Sequence, residues 1–475
     1  MRIDARGAWA SRDGRSDPER PGGLRSPSVL ASALVAACVA FACATPADEP
    51  EPSPSRAALV ASAETRPIAF AEDPAQARTD DPYLALERLA DRLKETAAIA
   101  REAQPSRAPF GRGEGALHVL RLLRRAVDEE LAWADTRHPW LQVQDERFAK
   151  LALGNPDNLY LVARCEDDAI YRLRGRLGTT ADFNVQVYQG YPGVHRPFAA
   201  HGALGLDELE VDEDGRFEIL IGGAPRERNW IELRPDSRRI LVRYTYGDWT
   251  SERAGELGLE RVGSRGEAAT PVSDETVAMR IDAAAGYLLD AFTGYLAVTE
   301  ELYGALPENS LRPMRRLGGE SGGLRGQYNA TGRYRLGDDE ALVVTTRPSD
   351  ARYQGFQLGT DWFEALDFAN QVTSLNTRQA RLDPDGVYRF VIATRDPGFA
   401  NWLDASAAPQ GQMLLRWQGV GPLSAEHEPR VELVAFDDLP NHFPAGAVRV
   451  DVEARRRQIA ERQAAIEHRY GLGAR

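Results

Sequence analysis

The chain has 475 residues, with 58 Lys and Arg against 71 Asp and Glu, a formal net charge of −13 and 43% hydrophobic residues. That length exceeds what one core fills, so two or three domains are expected, and the acidic balance excludes nucleic acid as a partner, which needs a concentrated positive field. Three cysteines exclude a disulfide scaffold and a thiolate metal site.

Residues 1–42 read as an export signal. An Arg- and Ser-rich stretch precedes a small apolar run from Val29 to Ala42, short of the about 20 residues that a membrane span needs. Ala40-Phe41-Ala42 ahead of Cys43 fits two routes: leader-peptidase cleavage, giving a soluble periplasmic or secreted protein, or lipidation of Cys43. Val35-Ala36-Ala37 ahead of Cys38 is an alternative lipidation motif. The expectation is an exported lipoprotein of the outer membrane or periplasm, touching a membrane only through that anchor. Residues 43–80, Pro-rich and charged, read as a disordered tether.

Residues 81–150 are predicted to be helical, with Leu86, Leu89, Leu93 and Ala97, then Leu117, Leu120, Val127 and Leu131, at helical spacing. Asn155-Pro156-Asp157-Asn158 is a cluster of turn formers, after which the period shifts towards two. Short runs such as Phe183-Asn184-Val185-Gln186-Val187-Tyr188 and Ile240-Leu241-Val242-Arg243-Tyr244, with no helical pattern between them, predict a first antiparallel β-sandwich over 151–274. A buried helical connector follows over 275–310, a second β-sandwich over 311–451, and a charged C-terminal helix over 452–475 whose apolar seam is Val452, Ile459 and Ile466. That seam is too short for a coiled-coil dimer, and no oligomeric state is set by it. The fold class is α+β, mainly β with helical decoration.

The two β-rich regions echo one another. Asp212-Glu-Asp214-Gly215, Asn229-Trp230 and Arg243-Tyr244 in the first match Asp383-Pro-Asp385-Gly386, Asn401-Trp402 and Arg416-Trp417 in the second, in the same order and at nearly equal spacing. A duplicated sandwich accounts for this. A weaker parallel sets Tyr160 and Tyr171-Arg-Leu173 against Tyr328 and Tyr334-Arg-Leu336.

Tyr353-Gln-Gly-Phe356-Gln-Leu358, Trp362-Phe-Glu364-Ala-Leu-Asp367-Phe, Thr373-Ser374-Leu375-Asn376 and Asp396-Pro-Gly398-Phe-Ala-Asn401-Trp402-Leu-Asp404 resemble the bacterial family called domain of unknown function 1214, over roughly residues 150–470. The resemblance implies two tandem jelly-roll-like units and no established activity. Where relatives often carry Gly-His after the Asn-Trp-Leu-Asp element, this chain has Ala405-Ser-Ala-Ala-Pro409, so a histidine role there is absent.

The Asp-x-Asp-Gly tokens fail as EF-hand loops, because Ile221 and Ile392 stand where the twelfth-position Glu is required; Asp-Gly turns explain them. No histidine pair has metal-ligand spacing, and no phosphate-binding glycine motif is present, so no metal or cofactor is expected. Asp396 and Asp404 are candidates for the paired carboxylates of an envelope glycoside hydrolase, set against ordinary roles in turns and ion pairs. Asn229, Trp230, Asn401 and Trp402 are candidates for a ligand platform, and Arg243 and Arg416 for forks that grip a carboxylate, set against core packing. The leading expectation is an exported binding or structural protein whose partner is a polar glycan or small metabolite.

Overall fold

The structure is a computed structural model that describes residues 80–191, 194, 198–318 and 323–471. Residues 1–42 and Cys43, on which the export and lipidation expectations fall, nearly all of the expected tether over 43–80, and His195 lie outside the described residues. Among the described residues no helix is long and apolar enough to cross a membrane.

Two helices come first. α1 (Pro82–Glu102) is opened by Asp81, whose carboxylate accepts the Tyr83 N–H at 2.8 Å, and α2 (Gly111–Val127) continues through a π-helical turn, Asp128–Ala132. The first sandwich comprises β1 (Gln142–Gln144), β2 (Asn158–Arg164), β3 (Tyr171–Arg176), β4 (Asp182–Gln189), β5 (Ala199–Gly205), β6 (Arg216–Ile221), β7 (Trp230–Ile231), β8 (Ser237–Thr245) and β9 (Glu256–Arg261). α3 (Asp274–Thr299) then crosses to the second, formed by β10 (Ser310–Leu311), β11 (Arg315–Arg316), β12 (Tyr328–Arg335), β13 (Glu340–Thr346), β14 (Tyr353–Gly359), β15 (Ser374–Asn376), β16 (Tyr388–Ala393), β17 (Trp402–Asp404), β18 (Gln410–Gln418) and β19 (Arg430–Ala435). α4 (Val452–Tyr470) closes the chain.

The strand orders repeat. The first sandwich has a large sheet β1-β2-β8-β4-β5 and a small sheet β7-β6-β3-β9; the second has β10-β12-β18-β14-β15 and β17-β16-β13-β19. Strand for strand, β2 to β9 correspond to β12 to β19, so the duplication is a property of the fold. Period-two alternation builds each core: Ile240, Val242 and Tyr244 of β8 point into one sandwich, and Met413, Leu415 and Trp417 of β18 into the other. The Asp-Gly turns are also alike, with Gly215 at φ +74 and Gly386 at φ +78, each donating to the carbonyl of the Asp three residues earlier at 2.9 Å.

Three expectations are corrected. The sheets are not strictly antiparallel, since β6/β7 and β16/β17 run parallel. The upstream echo is misplaced: Tyr160 and Asn329, not Tyr328, lie opposite the two arginines, and Tyr334 sits on the counterpart of β2 whereas Tyr171 sits on β3. The helix seams are rotated as well. On α2 the exposed Leu117 and Leu120 yield to Gly115, His118, Val119 and Leu122, because glycine lets the helix approach Trp362, whose indole N–H donates to the Gly111 carbonyl at 2.9 Å.

On α4, Val452 is 65% exposed, and the buried stripe that runs with Ile466 is Arg455, Arg462 and Arg469. Arg455 pairs with Asp396 at 3.0 Å, Arg462 donates to the Phe368 and Ser374 carbonyls at 3.0 Å, and Arg469 donates to the Pro156 carbonyl at 2.6 Å. Their guanidinium carbons lie over the rings of Trp402, Trp249 and Tyr246. Burial lowers the Arg462 pKa to about 10, so the carbonyl bonds and the indole carry the charge.

Arg462→Ala is expected to cost about 2–3 kcal/mol in denaturant unfolding, whereas Arg457→Ala on the exposed face should stay within about 0.5 kcal/mol. Equal effects would show that the arginine stripe does not fasten the helix.

Candidate functional site

The outward faces of the two large sheets turn towards each other. Thr245 and Gln418 hold equivalent places two residues after Arg243 and Arg416, and they touch across the junction at 3.2 Å. Contact between equivalent residues is the mark of an isologous interface, here within one chain. Beside it lies a cavity of about 570 Å³, walled by Tyr160, Arg243, Leu414 and Arg416 of the two sheets and by Tyr295 and Tyr303 at the end of α3. That volume suits a small organic molecule.

The charge inside is unbalanced. Arg243 and Arg416 are 7% and 8% exposed, and among the described residues neither has a carboxylate within ion-pair distance. Arg243 donates to Asn184 Oδ1 at 3.3 Å, to Gln186 Oε1 and to the Tyr188 hydroxyl at 2.6 Å; Arg416 donates to Gln357 Oε1 and to the Leu153 carbonyl at 2.6 Å. Every partner is neutral. A guanidinium has five N–H donors, so both retain donors beyond these bonds. The register makes Gln186 and Gln357 equivalent, so each repeat holds its arginine with the same glutamine.

Further donors surround them. The hydroxyls of Tyr295 and Tyr303 are buried with no hydrogen-bond partner, and burial raises both pKa values, so both stay protonated. Tyr303 lies in the field of Arg416, and Tyr295 in that of Arg125 and Arg239. Buried polar groups are ordinarily satisfied, so orphaned hydroxyls on the wall of a cavity that also holds Arg243 and Arg416 mark a place for acceptor oxygens.

Behind the wall sits a second charged cluster. Arg125 pairs with Glu129, and Arg239 donates to Gln144 at 2.7 Å and faces Glu129 at 4.0 Å. Gln144 donates to Glu146, whose second oxygen has no partner and is pressed against Gly154, where a Cβ would collide with it. Burial, opposed by the Gln144 hydrogen bond, Arg125 and Arg239, raises the Glu146 pKa from 4.5 to about 7.

The other sequence candidates fall elsewhere. Asn229 and Asn401 play one structural part: each side chain brackets a backbone unit, Asn229 with Glu210 N–H at 2.9 Å and C=O at 2.8 Å, Asn401 with Arg381 N–H and C=O at 2.7 Å. Trp230 and Trp402 each donate an indole N–H to a carbonyl, of Gly222 and Ala393, at 3.0 Å. Asp396 caps Gly398 N–H at 2.8 Å and holds Arg455, while Asp404 caps Ser406 N–H at 2.8 Å and accepts from Gln371 at 3.3 Å. Neither carboxylate lines the central cavity. Of the eight candidates, Arg243 and Arg416 alone do. Tyr295, Tyr303, Gln186 and Gln357 were missed, although the paired glutamines stand at equal offsets within the echoed strands.

No known family model matches the chain, and no curated protein does. Among solved structures, the chain is similar to an uncharacterized protein from Burkholderia cenocepacia, 28% identical, with a TM-score of 0.68 over 74% of this chain and 97% of that one. The fold is shared. A protein of Vibrio parahaemolyticus is matched at 12% identity and a TM-score of 0.38, over 67% of this chain and 98% of that one.

A carboxyl whose folded pKa lies above its unfolded value favours the folded state while protonated, so its contribution is full below about pH 4.5 and is lost as pH rises through about 7. Between pH 5 and pH 8 the wild type is expected to lose on the order of 2–3 kcal/mol more unfolding free energy than Glu146→Gln. Identical losses in denaturant titrations would contradict that environment for Glu146.

Proposed function

We propose that this protein is an exported, lipid-anchored envelope protein, related to the domain of unknown function 1214 family, that binds a small organic anion between its two β-sandwiches. One observation carries the reading: two buried arginines, one from each repeat, line one cavity, and among the described residues no carboxylate lies within ion-pair distance of either. Taking a charge out of water is costly unless something pairs with it. An acidic metabolite or acidic sugar supplies the missing charge, which narrows the polar ligand expected from the sequence to one bearing carboxylate or phosphate. Extended glycans fit less well, since the cavity takes a molecule of limited size.

A ligand at a hundredfold excess over its Kd raises stability by about 2.7 kcal/mol. Thermal unfolding against a panel of organic acids is therefore expected to show upward shifts for a subset of them with the wild type, and none with Arg243→Gln/Arg416→Gln. Shifts that persist in the double variant would remove the arginines from the site. The anchor has its own check: mass spectrometry of the mature protein is expected to find a lipid-modified N-terminal Cys43, and an unmodified terminus beyond Cys43 would contradict it.

A further inference from the structure

We infer that the ligand carries two anionic groups, one taken by the arginine of each repeat, and so belongs to the class of small dicarboxylic acids. The inference rests on the reading of the cavity as an anion site and specifies its occupant.

The first argument is charge. Among the described residues that line the cavity, Arg239, Arg243, Arg315 and Arg416 stand against Glu301, and Arg239 faces Glu129 at 4.0 Å behind the wall. Arg243 and Arg416 are two buried positive charges there with no carboxylate within ion-pair distance among the described residues. A single carboxylate would neutralise one and leave the other buried and unpaired.

The second argument is symmetry. The two guanidiniums hold equivalent positions on β8 and β18, each is anchored from its own sheet by the equivalent glutamine, and equivalent residues two positions further along meet across the junction. Each repeat therefore offers its own fork, set by its own strands, and a carboxylate matches such a fork in shape. The repeats differ beside the forks: Tyr160 stands opposite Arg243 and Asn329 opposite Arg416. Tyr303, in the field of Arg416, adds its free hydroxyl on the second side. Two similar but unequal stations suit a diacid whose two ends differ in their surroundings.

The test uses isothermal titration of the full chain with diacids of graded length, from succinate to suberate, with isophthalate, and with the monomethyl ester of each. The best diacid is expected to bind at least tenfold more tightly than its own half-ester. Arg243→Gln and Arg416→Gln should each erase that preference while leaving weak binding of both compounds. If either variant fails to unfold cooperatively, Arg243→Lys or Arg416→Lys, which keeps the charge and loses the fork, replaces it and is expected to reduce the preference. Equal affinity for diacid and half-ester overturns the inference and leaves the anion site standing. A phosphate monoester binding more tightly than every diacid also overturns it. Binding of no acid at all overturns both.

Discussion

A guanidinium does not shed its proton inside a protein at ordinary pH, so wherever the fold buries one, something must answer its charge. This chain buries many, and the answers sort its surfaces. Along α4, Arg455, Arg462 and Arg469 are met by carbonyls, one carboxylate and aromatic faces, and the result is a clasp across both sandwiches. In the helical layer, Arg125 has Glu129, and Arg121 has Glu364, which also meets His118 Nδ1 at 2.8 Å. Between the large sheets, Arg243 and Arg416 have neutral oxygens, and Arg243 the rings of Tyr160 and Tyr188, as partners among the described residues. What sets the third group apart is place, since both of its guanidiniums border the cavity between the sheets.

Duplication explains how such a place could arise. One sandwich with an arginine on its outward face would expose it to water, at little cost. Two copies packed by those faces bring both arginines under cover together, and the end of α3 closes the space with Tyr295 and Tyr303. The burden is then shared by the fold: β4 is buried along seven of its eight residues and β14 along all seven, because both faces of these strands are covered. The cavity is a consequence of how the repeats meet and belongs to neither of them alone.

Much of this was legible in the residues. Period two, the Asp-Gly turns and the repeated Asn-Trp and Arg tokens pointed to two sandwiches, because each token serves a local purpose that any copy of the unit must keep. The turn needs φ > 0, the Asn brackets a backbone unit, and the indole finds a carbonyl. The same locality misdirected the site assignment. Asn401, Trp402, Asp396 and Asp404 cluster in the chain because they build a corner, and clustering in sequence says nothing of facing a common space. What was not legible is the packing of face on face: Leu241 and Arg243 alternate with the core residues of β8, and only the second sheet makes their side an interior. The seams of α2 and α4 were misread for a related reason. Glycines and arginines outrank leucines there, since close approach to Trp362 and the need to seat three guanidiniums decide which side turns inward.

The central claim is that Arg243 and Arg416 jointly hold an acidic molecule in the space between the repeats. The most direct measurement is anomalous diffraction from crystals soaked with an iodinated aromatic dicarboxylate, which locates the ligand independently of how its density is interpreted. The account predicts iodine peaks inside the cavity, with carboxylate oxygens within hydrogen-bond distance of both guanidiniums. Iodine bound at the surface alone, with the two arginines contacting nothing but the chain and water, would contradict it.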